Sequence, residues 1–305
     1  MTDRRSLLAA AVTVLLWASA FVAIRSAGAY YSPGALALGR LLAGSVVLVL
    51  LLVVRREGWP PQGAWPGIVV SGVLWFGAYM VLLNWGEQEV DAGTAAMVVN
   101  VGPVLIALLS GWLLREGFKP RVLAGIAVSF VGAVVVGLSM SGEGHASVLG
   151  VLMCVVAAIG YAIGVVAQKT ALRHGNALPV TTFGCLVGTV ACLPFAGRLV
   201  SEASAAPLSA TLNVLYLGVF PTGVAFTTWA YALARTSASQ MGATTYAVPA
   251  LVIAMSWLLL SEVPGWLTFV GGALCLAGVA VSRTGRRTPL PAVPRSGKPH
   301  MTRVE

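Results

Sequence analysis

Apolar runs of spanning length follow one another along almost the whole chain, separated by short stretches rich in glycine, proline and charged residues. A helix needs about 20 apolar residues to cross the hydrocarbon core of a bilayer. The runs do not alternate between apolar and polar positions, as the strands of a membrane β-barrel do. Because helices satisfy their own backbone hydrogen bonds in lipid, the pattern predicts an all-α integral membrane protein with ten transmembrane helices. The predicted helices cover residues 6–24, 34–54, 66–85, 92–114, 121–139, 148–168, 178–197, 210–231, 238–260 and 265–282.

The composition supports a membrane protein, since 58% of the 305 residues are hydrophobic, only 10% are charged and the mean hydropathy is +0.88. Soluble domains carry about 25% charged residues, which argues against an ordinary globular protein. In a soluble domain, a net charge of +9 would suggest binding to nucleic acid. Here the basic residues lie in short loops and in the tail, where membrane topology favours them, so we expect no nucleic-acid partner. The four cysteines lie in apolar runs and the three histidines are isolated, so we expect no metal site and no cofactor.

The basic residues are distributed unequally between the two sets of predicted loops. If the N-terminus is cytoplasmic, the outer loops hold only Arg25 and Arg198, and Arg40 lies within the second predicted helix. Cytoplasmic loops of membrane proteins are enriched in lysine and arginine, so this asymmetry predicts that both termini are cytoplasmic and that the helix number is even. The remaining basic residues, all on the predicted cytoplasmic side, are Arg4, Arg5, Arg55, Arg56, Arg115, Lys119, Arg121, Lys169, Arg173, Arg235, Arg283, Arg286, Arg287, Arg295, Lys298 and Arg303.

An internal repeat divides the chain into two halves of five predicted helices. Residues 6–139 form the first repeat, residues 148–282 form the second, and residues 283–305 are a disordered basic cytoplasmic tail. A proline followed thirteen residues later by a glutamate recurs at the same offset of 146, and near the start an offset of 144 aligns Trp17 with Tyr161. The matched pairs at offset 146 include Gly72 with Gly218, Pro103 with Pro249, Glu116 with Glu262, Gly125 with Gly271 and Gly132 with Gly278.

The odd number of helices in each repeat requires the second copy to be inverted in the membrane relative to the first. Inverted repeats are the architecture of alternating-access transporters, in which the substrate lies near the midplane between the two halves. A symmetric bundle without transport, produced by gene duplication alone, remains the alternative at this stage.

Several short motifs resemble those of a known family, the drug/metabolite transporter superfamily, in its ten-helix form with two EamA domains. The resemblance covers about residues 9–283. It implies export or exchange of small metabolites, amino acids among them, through a central cavity lined by helices 1, 3, 4, 6, 8 and 9, and it leaves the substrate open. The motifs are Trp17-Ala18-Ser19-Ala20-Phe21, Arg40, Asn100-Val101-Gly102-Pro103, Trp112-Leu113-Leu114-Arg115-Glu116 and Tyr246-Ala247-Val248-Pro249.

Polar and aromatic residues near the centres of the predicted helices are the candidates for substrate binding. Asn100 and Tyr246 occupy matched positions before the two prolines, and we expect both to line a cavity, with interhelical hydrogen bonding as the alternative. Membrane aromatics usually lie at the interfaces, so those at mid-span predict aromatic cavity walls, although ordinary packing explains any one of them equally well. These aromatics are Trp17, Phe21, Trp75, Tyr79, Tyr161 and Trp229.

Proline and charged residues supply a second group of candidates. Pro103 and Pro249 predict helix hinges or static kinks, since proline removes a backbone hydrogen bond. Arg40 lies about 9 Å from the outer end of its helix, where a functional charge and a side chain that reaches the interface are equally reasonable. Glu116 and Glu262 end matched helices, where they would serve gating or loop structure.

No Asp, Glu or His lies in the middle of any predicted helix, and no ATPase motif is present, so we expect neither an intramembrane enzyme nor a primary pump. The sequence predicts a multi-pass carrier of the cell membrane that exports or exchanges small metabolites, with a small-molecule substrate and the lipid bilayer as its partners, as a monomer or homodimer. Efflux of lipophilic drugs or toxins is the alternative within transport, and a non-transporting membrane scaffold is the alternative outside it.

Overall fold

A computed structural model describes residues 4–89, 98–140, 147–260 and 266–283 of the chain. These residues form helices joined by short connections, as the apolar runs predict, and they are labelled α1 to α10 in chain order. They are α1 (Arg4–Gly28), α2 (Pro33–Val54), α3 (Gln62–Glu89), α4 (Gly102–Leu113), α5 (Pro120–Met140), α6 (Val148–Ala171), α7 (Ala177–Ala205), α8 (Leu208–Arg235), α9 in two parts (Ala238–Thr244 and Ala247–Leu260) and α10 (Trp266–Arg283).

Five of the described helices, α2, α3, α6, α7 and α8, are long and apolar enough to cross a membrane. Their outer faces carry large exposed apolar side chains, such as Val46, Leu50 and Val53 on α2. Soluble monomers rarely expose contiguous apolar patches of this extent, whereas a surface that faces lipid requires them. The described chain therefore has the character of a helical membrane protein.

Helices α3 and α8 each contain a π-helical segment, at Gly72–Tyr79 and Gly218–Val224, which the sequence analysis did not predict. The two segments start at residues that the repeat aligns. Each packs closely against a glycine of a neighbouring helix: a Cβ atom on Gly188 of α7 would lie 3.0 Å from the Gly72 carbonyl oxygen, and one on Gly44 of α2 would lie 3.0 Å from the Gly218 carbonyl oxygen. The two halves thus repeat the same irregular crossing, and π-helical turns are frequent at functional sites.

Several contacts join a residue to its own counterpart in the other half. Such contacts form only where an approximate two-fold axis passes between the two residues, so the axis runs through the interior of the bundle. Two of these pairs are 146 residues apart: Tyr246 Oη donates to the Asn100 carbonyl oxygen at 2.8 Å, and Ser129 Oγ donates to the Cys275 carbonyl oxygen at 3.0 Å. Two further pairs are 144 residues apart: Ser45 Oγ and Thr189 Oγ1 share a hydrogen bond of 2.9 Å, and Cys185 Sγ donates to the Leu41 carbonyl oxygen at 3.7 Å.

Helices α5 and α10 show the relative direction of the two halves. A Cβ atom on Gly125 would contact Gly278, whereas one on Gly132 would lie 2.6 Å from the Gly271 carbonyl oxygen. An increase in residue number along α5 therefore matches a decrease along α10, so these two matched helices are antiparallel, which is the relation that an inverted repeat requires.

The connections 55–61, 114–119, 172–176 and 236–237 meet at one end of the bundle, which we name the basic end because of its arginines and lysines. At the opposite end, the first turn of α2 is tied to the end of α7. There Glu202 Oε2 accepts hydrogen bonds from the backbone nitrogen and the hydroxyl of Ser32, at 2.8 and 3.1 Å.

Candidate functional site

Three tryptophans from three different helices meet in the middle of the bundle. Trp17 of α1 lies 5.0 Å from Trp229 of α8 and 6.1 Å from Trp75 of α3, measured between ring centroids, and Trp75 lies 5.6 Å from Trp229. Trp75 and Trp229 are fully buried. The Trp17 indole nitrogen also donates to the Pro221 carbonyl oxygen at 3.2 Å, within the π-helical segment of α8. The sequence-predicted aromatic residues of α1, α3 and α8 are thus brought together.

Two tyrosines extend this aromatic cluster towards α6. The ring of Tyr161 lies 5.4 Å from Trp75 and 5.6 Å from Tyr79. Tyr161 also packs against Gly102 of α4, where a larger residue would collide with its ring. The cluster therefore has contributions from α1, α3, α6 and α8 and a direct contact with α4, which are helices that the resemblance predicts around the central cavity.

In this conformation the rings of the aromatic cluster pack directly on each other. Two phenylalanines that the sequence analysis missed, Phe76 and Phe226, fill the remaining space, with ring centroids 4.4 Å apart. A cavity of about 430 Å³ lies elsewhere, at the basic end, beside Arg56, Trp59 and His174. Aromatic pairs gain about 0.5–1.5 kcal/mol beyond the area they bury, so the cluster stabilises a closed centre.

Asn100 and Tyr246 contact each other and lie to one side of the aromatic cluster. The Tyr246 hydroxyl donates to the backbone carbonyl of Asn100, and the tyrosine ring is fully buried among side chains of α4, α5 and α10, including Ala107 and Ile126. The interhelical hydrogen bond that the sequence analysis kept as an alternative is therefore present for Tyr246. The pair joins the two halves on their approximate two-fold axis.

The prolines lie just after breaks in the helices. Pro103 is in the first turn of α4, and turn residues Asn100 and Val101 precede that helix. Pro249 lies at the start of the second part of α9, after an interruption at Thr245 and Tyr246. A proline in the first helical turn removes no helical hydrogen bond, so the irregular backbone lies about three residues before each proline. These matched breaks are the positions at which a hinge would bend.

Arg40 is only 7% exposed, and its Nε atom donates to the Thr222 hydroxyl at 3.3 Å, inside the π-helical segment of α8. Arg40 therefore joins α2 to α8.

Charged side chains connect helix ends at the basic end. Lys169 Nζ, at the end of α6, donates to the carbonyl oxygens of Leu233 and Thr236 at 2.6 and 2.7 Å. The Glu116 carboxylate accepts from the backbone nitrogen of Ala238, the first residue of α9, at 2.9 and 3.0 Å. Cations at helix C-termini and anions at helix N-termini are the favourable placements for the helix dipole.

A further contact links the halves at this end. Arg173 Nη2 donates to the Leu114 carbonyl oxygen at 3.2 Å, so the residues that follow α6 bind the end of α4. Together with Glu116, this bond connects the first half to the second. Glu262, the predicted counterpart of Glu116, lies outside the described residues, and the side chain of Phe21 is likewise not described.

The sequence analysis also missed a buried amide. Gln168 of α6 is completely buried, within an apolar run like the one that contains Asn100.

Among the described residues, no three His, Cys, Asp or Glu side chains come together as a metal site would require.

The family of the chain follows from its similarity to known proteins. The EamA-like transporter family matches residues 4–138 and again residues 148–284. A probable terminal-alkyne amino-acid exporter of Streptantibioticus cattleyicolor is 38% identical over 283 residues, which cover 91% of this chain and 92% of that protein. The uncharacterized transporter YdfC of Bacillus subtilis is 35% identical over 264 residues, covering 87% of this chain and 86% of that protein.

A solved crystal structure of a protein with 24% sequence identity superposes with a TM-score of 0.76, covering 91% of this chain and 96% of that one, which shows the same fold. The family match covers both halves and nearly all of the helices described above. The chain is a membrane transporter and belongs to the EamA-like transporter family.

Proposed function

We propose that the protein is a ten-helix carrier of the bacterial plasma membrane, with both termini in the cytoplasm, that exports or exchanges amino acids or related small metabolites by alternating access. The observation that carries the proposal is the set of charged contacts between helix ends that ties the two halves together at the basic end. The similarity to a probable amino-acid exporter supports the choice of substrate class, and similarity to proteins named as transporters argues against an enzyme.

The closed end suggests how the carrier would work. Glu116 and Arg173 hold the first half against the second at the basic end, and Lys169 holds α6 against α8. Breaking these contacts would separate the ends of α4, α6, α8 and α9 and open a route from the basic end to the aromatic cluster. Because the Glu202–Ser32 contact also ties α2 to α7 at the opposite end, alternating access would require the two ends to open in turn. A substrate shifts this equilibrium only by binding one state more tightly than the other.

Counterflow exchange in proteoliposomes tests the proposal. Vesicles containing the purified protein are loaded with a mixture of the twenty labelled L-amino acids, diluted into one unlabelled amino acid at a time, and their contents are measured by mass spectrometry. We expect selective loss of a few amino acids, dependent on the external amino acid and unchanged when the proton gradient is collapsed. Protein-free vesicles are the control, and the absence of any exchange by folded protein would refute the proposal.

Efflux of lipophilic compounds is the second candidate, because the centre of the bundle is filled by aromatic rings such as Trp17, Trp75 and Phe226. Rings of this kind suit flat apolar cations as well as the side chains of amino acids. Ethidium efflux from the same vesicles, without amino-acid exchange, would favour this second function.

A further inference from the structure

Gln168 presents a buried amide whose nitrogen and oxygen both lack a hydrogen-bond partner among the described residues. Its side chain is 0% exposed, near the end of α6. Burying an unpaired polar group is unfavourable, and buried polar groups in folded proteins are nearly always paired. An unpaired amide in this position therefore weakens the closed conformation and calls for a partner in another one.

The position of Gln168 lies between the aromatic cluster and the contacts that close the basic end. Gly164, one turn earlier on the same side of α6, touches Trp75 of the cluster. Lys169, the next residue, holds the Leu233 carbonyl at the end of α8. Separating the helix ends at the basic end would therefore expose the Gln168 amide directly below the aromatic rings.

Trp229 supplies a second unpaired group at the same interface. Its indole nitrogen has no hydrogen-bond partner among the described residues, although the ring is fully buried. Trp229 lies one turn before Leu233 on α8, and its ring contacts Trp75, which also touches α6. The interface between α6 and α8 thus holds, among the described residues, two unpaired donor nitrogens, Gln168 Nε2 and Trp229 Nε1, and one unpaired acceptor, the Gln168 side-chain oxygen.

We infer that Gln168, assisted by the Trp229 indole nitrogen, recognises the polar end of the transported solute, and that this solute is a zwitterionic α-amino acid. The two donors match the carboxylate, the amide oxygen matches the ammonium group, and the adjacent rings accommodate an apolar side chain. The inference rests on the proposed function and adds to it the residues that bind the zwitterion. Unpaired groups that weaken the closed state become paired when the solute binds, which gives the differential affinity that transport requires.

The test compares Gln168→Met, which keeps the length of the side chain and removes its polar atoms, with the wild-type protein. The measured quantities are the thermal midpoint and the exchange of phenylalanine and of phenethylamine, which lacks the carboxylate. We expect a higher midpoint of thermal unfolding for Gln168→Met, because the unpaired amide is gone. We also expect kcat/KM for phenylalanine exchange to fall by about tenfold or more. The preference for phenylalanine over phenethylamine should fall with it.

Thr181→Val is the matched control, because the Thr181 hydroxyl is also buried and unpaired among the described residues but belongs to α7. It should raise the midpoint without changing the preference for phenylalanine. Gln168→Leu provides a second variant if the methionine variant does not fold. An unchanged preference in a folded Gln168 variant, or a midpoint that falls, would overturn the inference while leaving the proposed function intact. No exchange of any amino acid by the wild type would overturn both.

Discussion

Lys169 makes the closure of the basic end testable by a single substitution. Its ammonium group donates to two carbonyl oxygens at the end of α8, Leu233 and Thr236, at 2.6 and 2.7 Å. Lys169→Met removes both hydrogen bonds and the charge and keeps most of the aliphatic stem. We expect the variant to open the basic end more often than the wild type, because nothing replaces these bonds in the closed state.

The size of the effect follows from the number and kind of bonds. A hydrogen bond from a charged group contributes about 1.5–3 kcal/mol net. Water replaces part of this interaction when the end opens, so we take about 2 kcal/mol for the pair, below the sum of two such bonds. Since about 1.4 kcal/mol corresponds to a factor of ten, the open fraction should rise about thirtyfold.

Maleimide labelling of a cysteine placed behind the closed end measures this fraction. Met241 is 1% exposed in the first part of α9, so Met241→Cys should react slowly with an impermeant maleimide applied to the basic end. Adding Lys169→Met should increase the rate about thirtyfold, while buried Cys185 stays unlabelled if the fold is intact.

Arg235→Met is the matched control, because among the described residues its guanidinium donates within its own helix, from Nη1 to the Tyr231 carbonyl oxygen. It removes an equal charge at the same end and should leave the labelling rate of Met241→Cys unchanged. An unchanged rate in Lys169→Met, or an equal rise in both variants, would refute the role given to Lys169.

Three further substitutions test other contacts. Tyr246→Phe removes the bond to the Asn100 carbonyl and should lower the free energy of unfolding by about 1 kcal/mol in a denaturation assay. Tyr246→Phe and Asn100→Ala should both slow exchange without preventing membrane insertion. Normal exchange by both variants would remove the pair from the site. Gly218→Ala would place a Cβ atom 2.6 Å from the Arg40 carbonyl oxygen and should cost about 1–3 kcal/mol in thermal unfolding, whereas Gly197→Ala, with nothing within 4 Å, should be neutral or stabilising. Arg40→Met should reduce exchange while the thermal midpoint holds, since the Thr222 hydroxyl keeps its 2.9 Å bond to the Leu217 carbonyl oxygen; unchanged exchange would show that the buried charge is not needed for transport.

The helical architecture could be predicted from the sequence because a backbone surrounded by lipid must satisfy its own hydrogen bonds. Runs of apolar residues long enough to span lipid must form helices, and the described ranges contain a helix at each predicted run. The constant offset between the two halves could also be found from the sequence. It is visible at glycines and prolines such as Gly72 and Pro103, because few other residues can take their backbone conformations.

The packing inside the bundle could not be predicted in the same way. Phe76 and Phe226 look like any apolar residue of a spanning run, and only the helix crossings place their rings 4.4 Å apart. The π-helical segments depend on contacts with α2 and α7 that have no local sequence signal. Gln168 did carry a signal, an amide within an apolar run, and the same reasoning that selected Asn100 would have found it.

The contacts on the two-fold axis have a consequence for the energetics of the transport cycle. In an assembly of two identical chains, a residue on the axis would have to meet an identical residue, and both directions of movement would then be equal in energy. In this fused chain the partners differ: Ser129 meets Cys275, and the Tyr246 hydroxyl meets the Asn100 backbone. This bond from tyrosine to a carbonyl has no symmetry-equivalent bond when the two halves exchange their conformations. In the proposed alternating-access cycle, the two resting orientations would therefore differ in free energy, and the sequence itself would set which side of the membrane the empty carrier prefers to face.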